Sequence, residues 1–259
     1  MSRPALGDAE LVPALRAEFA AAGFDLCAPF AAGAYNEHEQ IAGRPDLLIP
    51  AKSRVTLAIV VGNTRELWMP FVRHLKSSLE GAAILKSQDP LDEYTKHIVQ
   101  RVLAQCAPGE EAEIVFAFET VEANGRCCSV HTAGHVAGLA WYDAENTQRS
   151  LHPVYGPWFG YRAVITLPSR AWAKSLPGSA DGSLRCPCER AELQKVAAMQ
   201  AEVMAKWGTV SERESWDGLV AVASAFTVGA EFRYSPAQLR FHYSPDAAER
   251  TAVLLESTA

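Results

Sequence analysis

Leu11, Leu15 and Phe19 fall at i, i+4 and i+8 behind Asp8, and Gly23 follows them. That spacing predicts an amphipathic opening helix, with Pro13 tolerated near its first turn. Residues 24–54 lose the period and are punctuated by Pro and Gly. Residues 55–61, Val-Thr-Leu-Ala-Ile-Val-Val, form a continuous β-branched run, the pattern of a buried strand. Thr64 can cap a helix reaching about Leu79. Asp89-Pro90-Leu91-Asp92 opens the next helix, which runs to Ala107: an Asp cap, Pro at the first helical position, and a second acid where the helix dipole favours it. Capping accounts for both acids without catalysis. Residues 113–119 read as a second strand, Asn124-Gly125 as a turn, and 127–142 as a helix unusually rich in small residues. Residues 161–167 read as a third strand.

Residues 168–187 form a long Pro/Gly/Ser stretch, expected to be a lid-like loop extending to about 188. A helix follows over 189–206. Ser211-Glu-Arg-Glu214 is a capping box for another, with Trp216, Leu219, Val220 and Ala223 on its inner side. Ser235-Pro236 and Ser244-Pro245 begin two short final helices. Strands interleaved with helices, then a helical C-terminal third, indicate an α+β or α/β fold, read as a single domain over 1–259.

Composition narrows the chemistry. A 49% hydrophobic content in 259 residues is ample for one core. A net charge of −6 argues against nucleic acid or an anionic membrane as the main partner. Met1-Ser2-Arg3-Pro4 lacks the apolar core of a signal peptide, and no run approaches the roughly 20 apolar residues of a membrane span. The expected location is cytoplasmic, where six Cys read as thiols rather than as a disulfide framework. No phosphate-binding loop, dinucleotide glycine pattern or nucleophile elbow is present.

The stretch from His152 to Arg162 packs two Gly, two Pro and four aromatics into eleven residues. It can line a pocket that grips something broad, flat and mostly apolar, or it can plug the core with its rings. Gly134, Ala137, Gly138 and Ala140 would let something approach the backbone closely. His131 and His135 share one helix face beside Cys127-Cys128, a set that can chelate zinc, although vicinal Cys rarely bind one metal well. Cys186-Pro187-Cys188 reads as a redox pair or a ligand pair. Arg162, Arg233 and Arg250 are candidate anion binders, because the guanidinium fork suits carboxylates.

Several stretches in order carry a family likeness. They are Tyr35-Asn36-Glu37, the strand beginning Thr56-Leu57-Ala58, Asp89-Pro90-x-Asp92, Thr132-Ala133-x-His135-Val136-Ala137-Gly138-x-Ala140-x-Tyr142, His152-Pro153-x-x-Gly156-x-Trp158-Phe159-x-x-Arg162, Leu167-Pro168 and Arg233-Tyr234-Ser235. Over about residues 35–255 the chain resembles the CblC-type cobalamin-processing family (MMACHC). The resemblance implies a modified flavin nitroreductase scaffold, α+β, with a central, mainly antiparallel sheet flanked by helices. It implies base-off binding of cobalamin and removal of the upper axial ligand, by glutathione-dependent dealkylation or reductive decyanation.

Carried over residue by residue, Thr132, His135, Gly138, Tyr142, His152, Gly156, Trp158 and Phe159 would contact cobalamin. His135 would sit beside the corrin as the catalytic-site residue and Tyr142 near the nucleotide tail. Arg162 and Arg250, with Arg233, would hold glutathione; no metal would be bound by the protein directly. Reduced FMN or FAD, a flavin reductase and a cobalamin-delivery protein are implied as possible helpers, with the chain a monomer or a ligand-dependent homodimer. The family's dimerising loop is replaced here by 122–126, and the Cys pairs lie outside the shared pattern. A non-catalytic cobalamin carrier and a flavin-dependent reductase without corrinoid are the alternative readings.

Overall fold

The computed structural model describes residues 6–125, 127–173 and 184–258. Helix α1 (Asp8–Ala21) buries Leu11, Val12, Leu15 and Phe19. Pro13 lies in its second turn, deeper than expected. It sits on the exposed side, where the carbonyl it leaves unbonded faces solvent. Strand β1 (Leu26–Ala31) follows, then α2 (Ala32–Asn36) and β2 (Thr56–Asn63). β1 escapes the periodicity reading because it contains Pro29. An edge strand accepts proline, since one of its backbone faces has no ladder to complete.

The helix expected from 64 to 79 is two. Thr64 caps a short turn, and α3 (Trp68–Ser77) then gives way to α4 (Leu79–Ile84) at an extended Ser78. The Ser78 hydroxyl accepts the Gly81 N–H at 2.8 Å and starts the second helix. α5 (Pro90–Cys106) and β3 (Glu113–Phe116) stand close to their expected bounds.

α6 (Val121–Asn124) precedes a larger departure. The small-residue segment is a short helix, α7 (Val130–Val136), followed by β4 (Trp141–Asp143), β5 (Arg149–Leu151) and the long β6 (Gly160–Ala171). β6 takes the first residues of the expected lid, and the rest of that stretch lies mostly outside the described residues. The C-terminal third is helical: α8 (Arg190–Lys206), α9 (Glu212–Ser224), α10 (Pro236–Tyr243) and α11 (Ala247–Glu256). The capping box at Ser211 forms as read, and Ser235 caps α10 by accepting the Gln238 N–H. α11 is capped by Asp246, two residues beyond Ser244. In α9 the buried positions are Ser215, Val222 and Ala223, with Trp216, Leu219 and Val220 half-buried.

The main sheet is antiparallel, ordered β1-β2-β6-β3, with β4 and β5 forming a separate hairpin. β2 is buried along its whole length because helices cover both faces. Leu57, Ile59 and Val61 point with Ala163, Ile165 and Leu167 into a core roofed by α1, α3, α5 and α11. Ala58 and Val60 point the other way with Tyr161 and Val164, against Tyr35, Ile41 and the Ala133, Val136 and Ala137 face of α7. This second, thinner layer positions the site.

Candidate functional site

α7 is fixed before it can present anything. Ser129 caps it through the Thr132 N–H at 3.2 Å, and the Tyr35 hydroxyl accepts the Ser129 N–H at 2.8 Å while donating to Leu47 O at 3.0 Å. Thr132 is fully buried and donates to Gln40 Oε1 at 3.1 Å. It ties the helix to the 38–40 turn rather than facing open space. Gly138 ends the helix in the left-handed region at φ 71°, and its N–H reaches His135 O. Gly134 has a different reason: a Cβ there would stand 2.0 Å from the Tyr161 hydroxyl. The room the small residues leave is thus taken, at Gly134, by the protein's own tyrosine.

The β4–β5 hairpin packs beside α7. Asp143 closes it by accepting from Asn146 and Thr147 at 2.9 Å. Burial pushes the Asp143 carboxyl up, but these hydrogen bonds outweigh it and hold the group below its usual range. Tyr142 therefore lies on a strand, not on the expected helix. Its ring stacks on His131 at 5.1 Å between centroids and 18° between planes.

Two clefts flank that stacked pair. The first, about 330 Å³, includes His38, Gln40, His135, Trp141, Tyr142 and Leu193 in its walls. The second, about 250 Å³, includes His131, Arg149, Pro157, Phe159, Tyr161 and Tyr243. His135 Nδ1 accepts the backbone N–H of Tyr142 at 3.2 Å, and burial, then the nearby His38 ring, keep its pKa below the ordinary value. The neutral ring consequently carries its proton on Nε2. His131 Nδ1 pairs with Ser150 Oγ at 3.0 Å, and burial, helped by Arg149, brings its pKa down to about 4. Both imidazoles of the set that can chelate zinc thus have a nitrogen engaged within the fold. Among the described residues, the metal-capable group whose donor atoms converge is instead His74, Glu80 and His97 on α3, α4 and α5.

The aromatic stretch divides in two. Phe159 and Tyr161 reach the second cleft with rings 5.1 Å apart. Trp158 is 1% exposed, 5.7 Å from Tyr234 and beneath the Arg233 guanidinium, so it is core rather than cleft. His152 Nδ1 accepts from Val154 and Tyr155 N–H at 3.0 and 3.2 Å, and burial brings its pKa to about 4. Its ring organises the loop. Gly156, at φ 54°, lets the chain pass Val228 O, which a Cβ would meet at 2.0 Å. Arg162 is half-buried and donates from Nε to Asn63 Oδ1 at 2.6 Å; desolvation weakens its hold on the proton, while Tyr234 and Asp92 oppose that loss. Asp92 is raised to about 6 by burial and by Asp89, with Arg162 pulling the other way. Arg250 donates to Ser244 O at 3.1 Å and faces Asp89 at 3.9 Å. The asparagine, acids and backbone oxygen around Arg162 and Arg250 leave neither guanidinium unattended.

Sequence reasoning weighed His131 only as a zinc ligand, and it assigned no role to His38, Gln40, Trp141, Arg149, Leu193 or Tyr243, which also line the clefts. His38 and Gln40 fall in an aperiodic stretch, and only the tie from Gln40 to Thr132 shows why they belong there.

Residues 23–181, which supply nearly all of both clefts, match the profile of the Methylmalonic aciduria and homocystinuria type C family, MMACHC. The chain belongs to the MMACHC family. Over 259 aligned residues it is 24% identical to a Danio rerio protein named cyanocobalamin reductase / alkylcobalamin dealkylase, covering 93% of this chain and 91% of that one. The Homo sapiens protein of the same name is 31% identical over 145 residues, half of each chain. In structure it is similar to the C. elegans B12-trafficking protein CblC. The TM-score is 0.69 at 18% identity, covering 95% of this chain and 94% of that one, which shows the shared MMACHC fold. No helix among the described residues is long and apolar enough to cross a membrane.

Proposed function

We propose that this chain binds cobalamin base-off across the two clefts and removes its upper axial ligand. The observation that carries the reading is the His135 ring: oriented by the Tyr142 N–H, neutral, and offering Nε2–H at the wall of the larger cleft. A corrin rim carries amide carbonyls, which are acceptors for such a donor. Tyr142 and His131 stand between corrin and tail, and Phe159 and Tyr161 provide an apolar wall for the tail's aromatic base. His135 acts here by holding the corrin, not by bond-making. Holding the tail away from cobalt leaves the lower face open, so that the metal can accept electrons as the upper ligand departs.

With an alkylcobalamin, a thiolate of the glutathione class forms a bond to the alkyl carbon. The carbon–cobalt electron pair stays on the metal as Co(I), and the thiol proton passes to solvent. With cyanocobalamin, one electron from a reduced flavin on a partner protein releases cyanide and leaves Co(II). Arg162 and Arg250 are the proposed carboxylate contacts for the thiol, exchanging Asn63 and Asp89 for the ligand; Arg233 lies outside this pair, over Trp158.

The test is an absorption titration of the purified chain with methylcobalamin and cyanocobalamin. The base-off spectrum is expected, with His135→Ala weakening binding by up to about tenfold, the loss of one hydrogen bond. Added glutathione should then demethylate the bound methylcobalamin, and Arg162→Lys should slow that step without changing cobalamin affinity. An unmoved spectrum would refute the reading. A base-off shift with a stable methyl group would make the protein a carrier.

A further inference from the structure

Cys186 and Cys188 have no role in that reaction, yet their placement is specific. They lie on the segment that leads into α8, separated only by Pro187. Both are free, half-buried thiols, and their sulfurs are 3.2 Å apart. A disulfide bond is about 2.05 Å long, so closure needs a movement of only about 1.1 Å. Their surroundings are apolar: they pack on the cluster of Leu151, Val196, Val222 and Phe226, together with Trp141 and Leu193. Trp141 and Leu193 are also walls of the first cleft. The couple and the Trp141–Leu193 wall therefore rest on one shared apolar cluster. Burial, then the neighbouring Cys186 sulfur, pushes the Cys188 thiol up to about 12. With its proton held more tightly, Cys188 leaves Cys186 as the attacking sulfur of the pair.

We propose that Cys186 and Cys188 form a reversible dithiol–disulfide couple that exchanges with small disulfides of the glutathione class, and that its closure shifts the Trp141–Leu193 wall of the first cleft. The Cys186 thiolate attacks one sulfur of the small disulfide, expelling the other as a thiolate that takes up a proton. Cys188 then releases its proton to solvent and attacks the Cys186 sulfur of the mixed disulfide, freeing the second small thiol. One protein dithiol is oxidised and one small disulfide is reduced to two thiols. Only the effect on the cleft rests on the cobalamin reading; the exchange chemistry stands apart from it.

The whole chain, equilibrated in buffers of stepped glutathione to glutathione disulfide ratio, is acid-quenched, alkylated and weighed by mass spectrometry. The expected product has lost two hydrogens and so takes up two fewer alkyl groups than the dithiol, maps to a 186–188 disulfide, and reverts with excess thiol. Cys186→Ser and Cys188→Ser should each arrest as a mixed disulfide on the remaining sulfur. A pair that stays reduced across the series, or the same loss of two hydrogens in either single variant, overturns the couple. Methylcobalamin titrated into the dithiol and disulfide forms should show a several-fold difference in affinity, and equal affinities overturn the link to the wall. Absence of binding in both forms would count against the cobalamin reading while the mass result still decides the couple.

Discussion

Gly134→Ala tests whether α7 is held against β6 as closely as described. In an ordinary helix the change stabilises by about 1 kcal/mol, because alanine is the better helix former. Here the added Cβ would stand 2.0 Å from the Tyr161 hydroxyl, 2.4 Å from Cζ and 2.6 Å from Cε1, where ordinary contact begins at 3.4 Å. Ring and helix must separate by about 1.4 Å. The ring cannot simply rotate away: Tyr161 is 8% exposed, with His131 5.5 Å from it and Phe159 5.1 Å. Overpacking of this kind costs roughly 1–3 kcal/mol, and the tight enclosure puts it at the upper end. After the propensity gain, a net loss of about 1–2 kcal/mol is expected, a fall in Tm of roughly 2–8 °C for a chain of this size. Thermal and urea unfolding followed by circular dichroism measure it, and the cobalamin titration reports the displaced wall of the second cleft. A variant more stable than the parent by the propensity increment would refute the close contact.

Two further outcomes follow from buried groups in the same layer. His131 is held neutral with a folded pKa of about 4 against 6.5 unfolded, so stability is full above pH 6.5 and is lost as pH falls toward 4. At about 1.4 kcal/mol per unit, this one group removes on the order of 3 kcal/mol across that window; urea midpoints at pH 7, 5.5 and 4.5 should fall steeply in the parent and less in His131→Asn, and equal slopes would refute the assignment. Among the described residues the buried Tyr161 hydroxyl has no partner in good hydrogen-bond geometry, although Ser150 lies near. Tyr161→Phe is therefore expected to be neutral or to stabilise by up to about 1 kcal/mol in urea unfolding, where a loss above that would mean the hydroxyl is paired.

The elements legible in the sequence were those whose signal is local. α5 announces itself through Asp89-Pro90 and β2 through its unbroken apolar run, and both formed near their expected bounds. α9 and α10 carry their own caps in Ser211 and Ser235. β1 was hidden by Pro29, which only its position at the sheet edge makes acceptable. The split at Ser78 depends on α4 folding back on α3 so closely that Gly81 has no room for a Cβ, a tertiary fact. For the site, the family pattern pointed at His135, Tyr142 and Phe159, which do reach the clefts. It pointed equally at Thr132, Trp158 and Gly156, whose burial and contacts within the fold account for them without a ligand. A motif identifies positions under constraint; it does not separate those that touch a ligand from those that hold the first group in place.

The error over residues 127–142 is the most informative of these. On one continuous helix, His135 and Tyr142 would share a face, and the tyrosine's N–H would be spent on the carbonyl four residues back. Gly138 stops the helix, and the chain re-emerges as β4 with that N–H free to turn toward His135 Nδ1. The same break lets the Tyr142 ring swing onto His131 and stand between the two clefts. A small residue expected to make room for a ligand instead ends a helix, and by ending it fixes both the proton position on His135 and the partition of the site. His38 and Leu193 then close the first cleft from segments remote in sequence, 97 residues before His135 and 58 after it, so no local pattern could have assembled them.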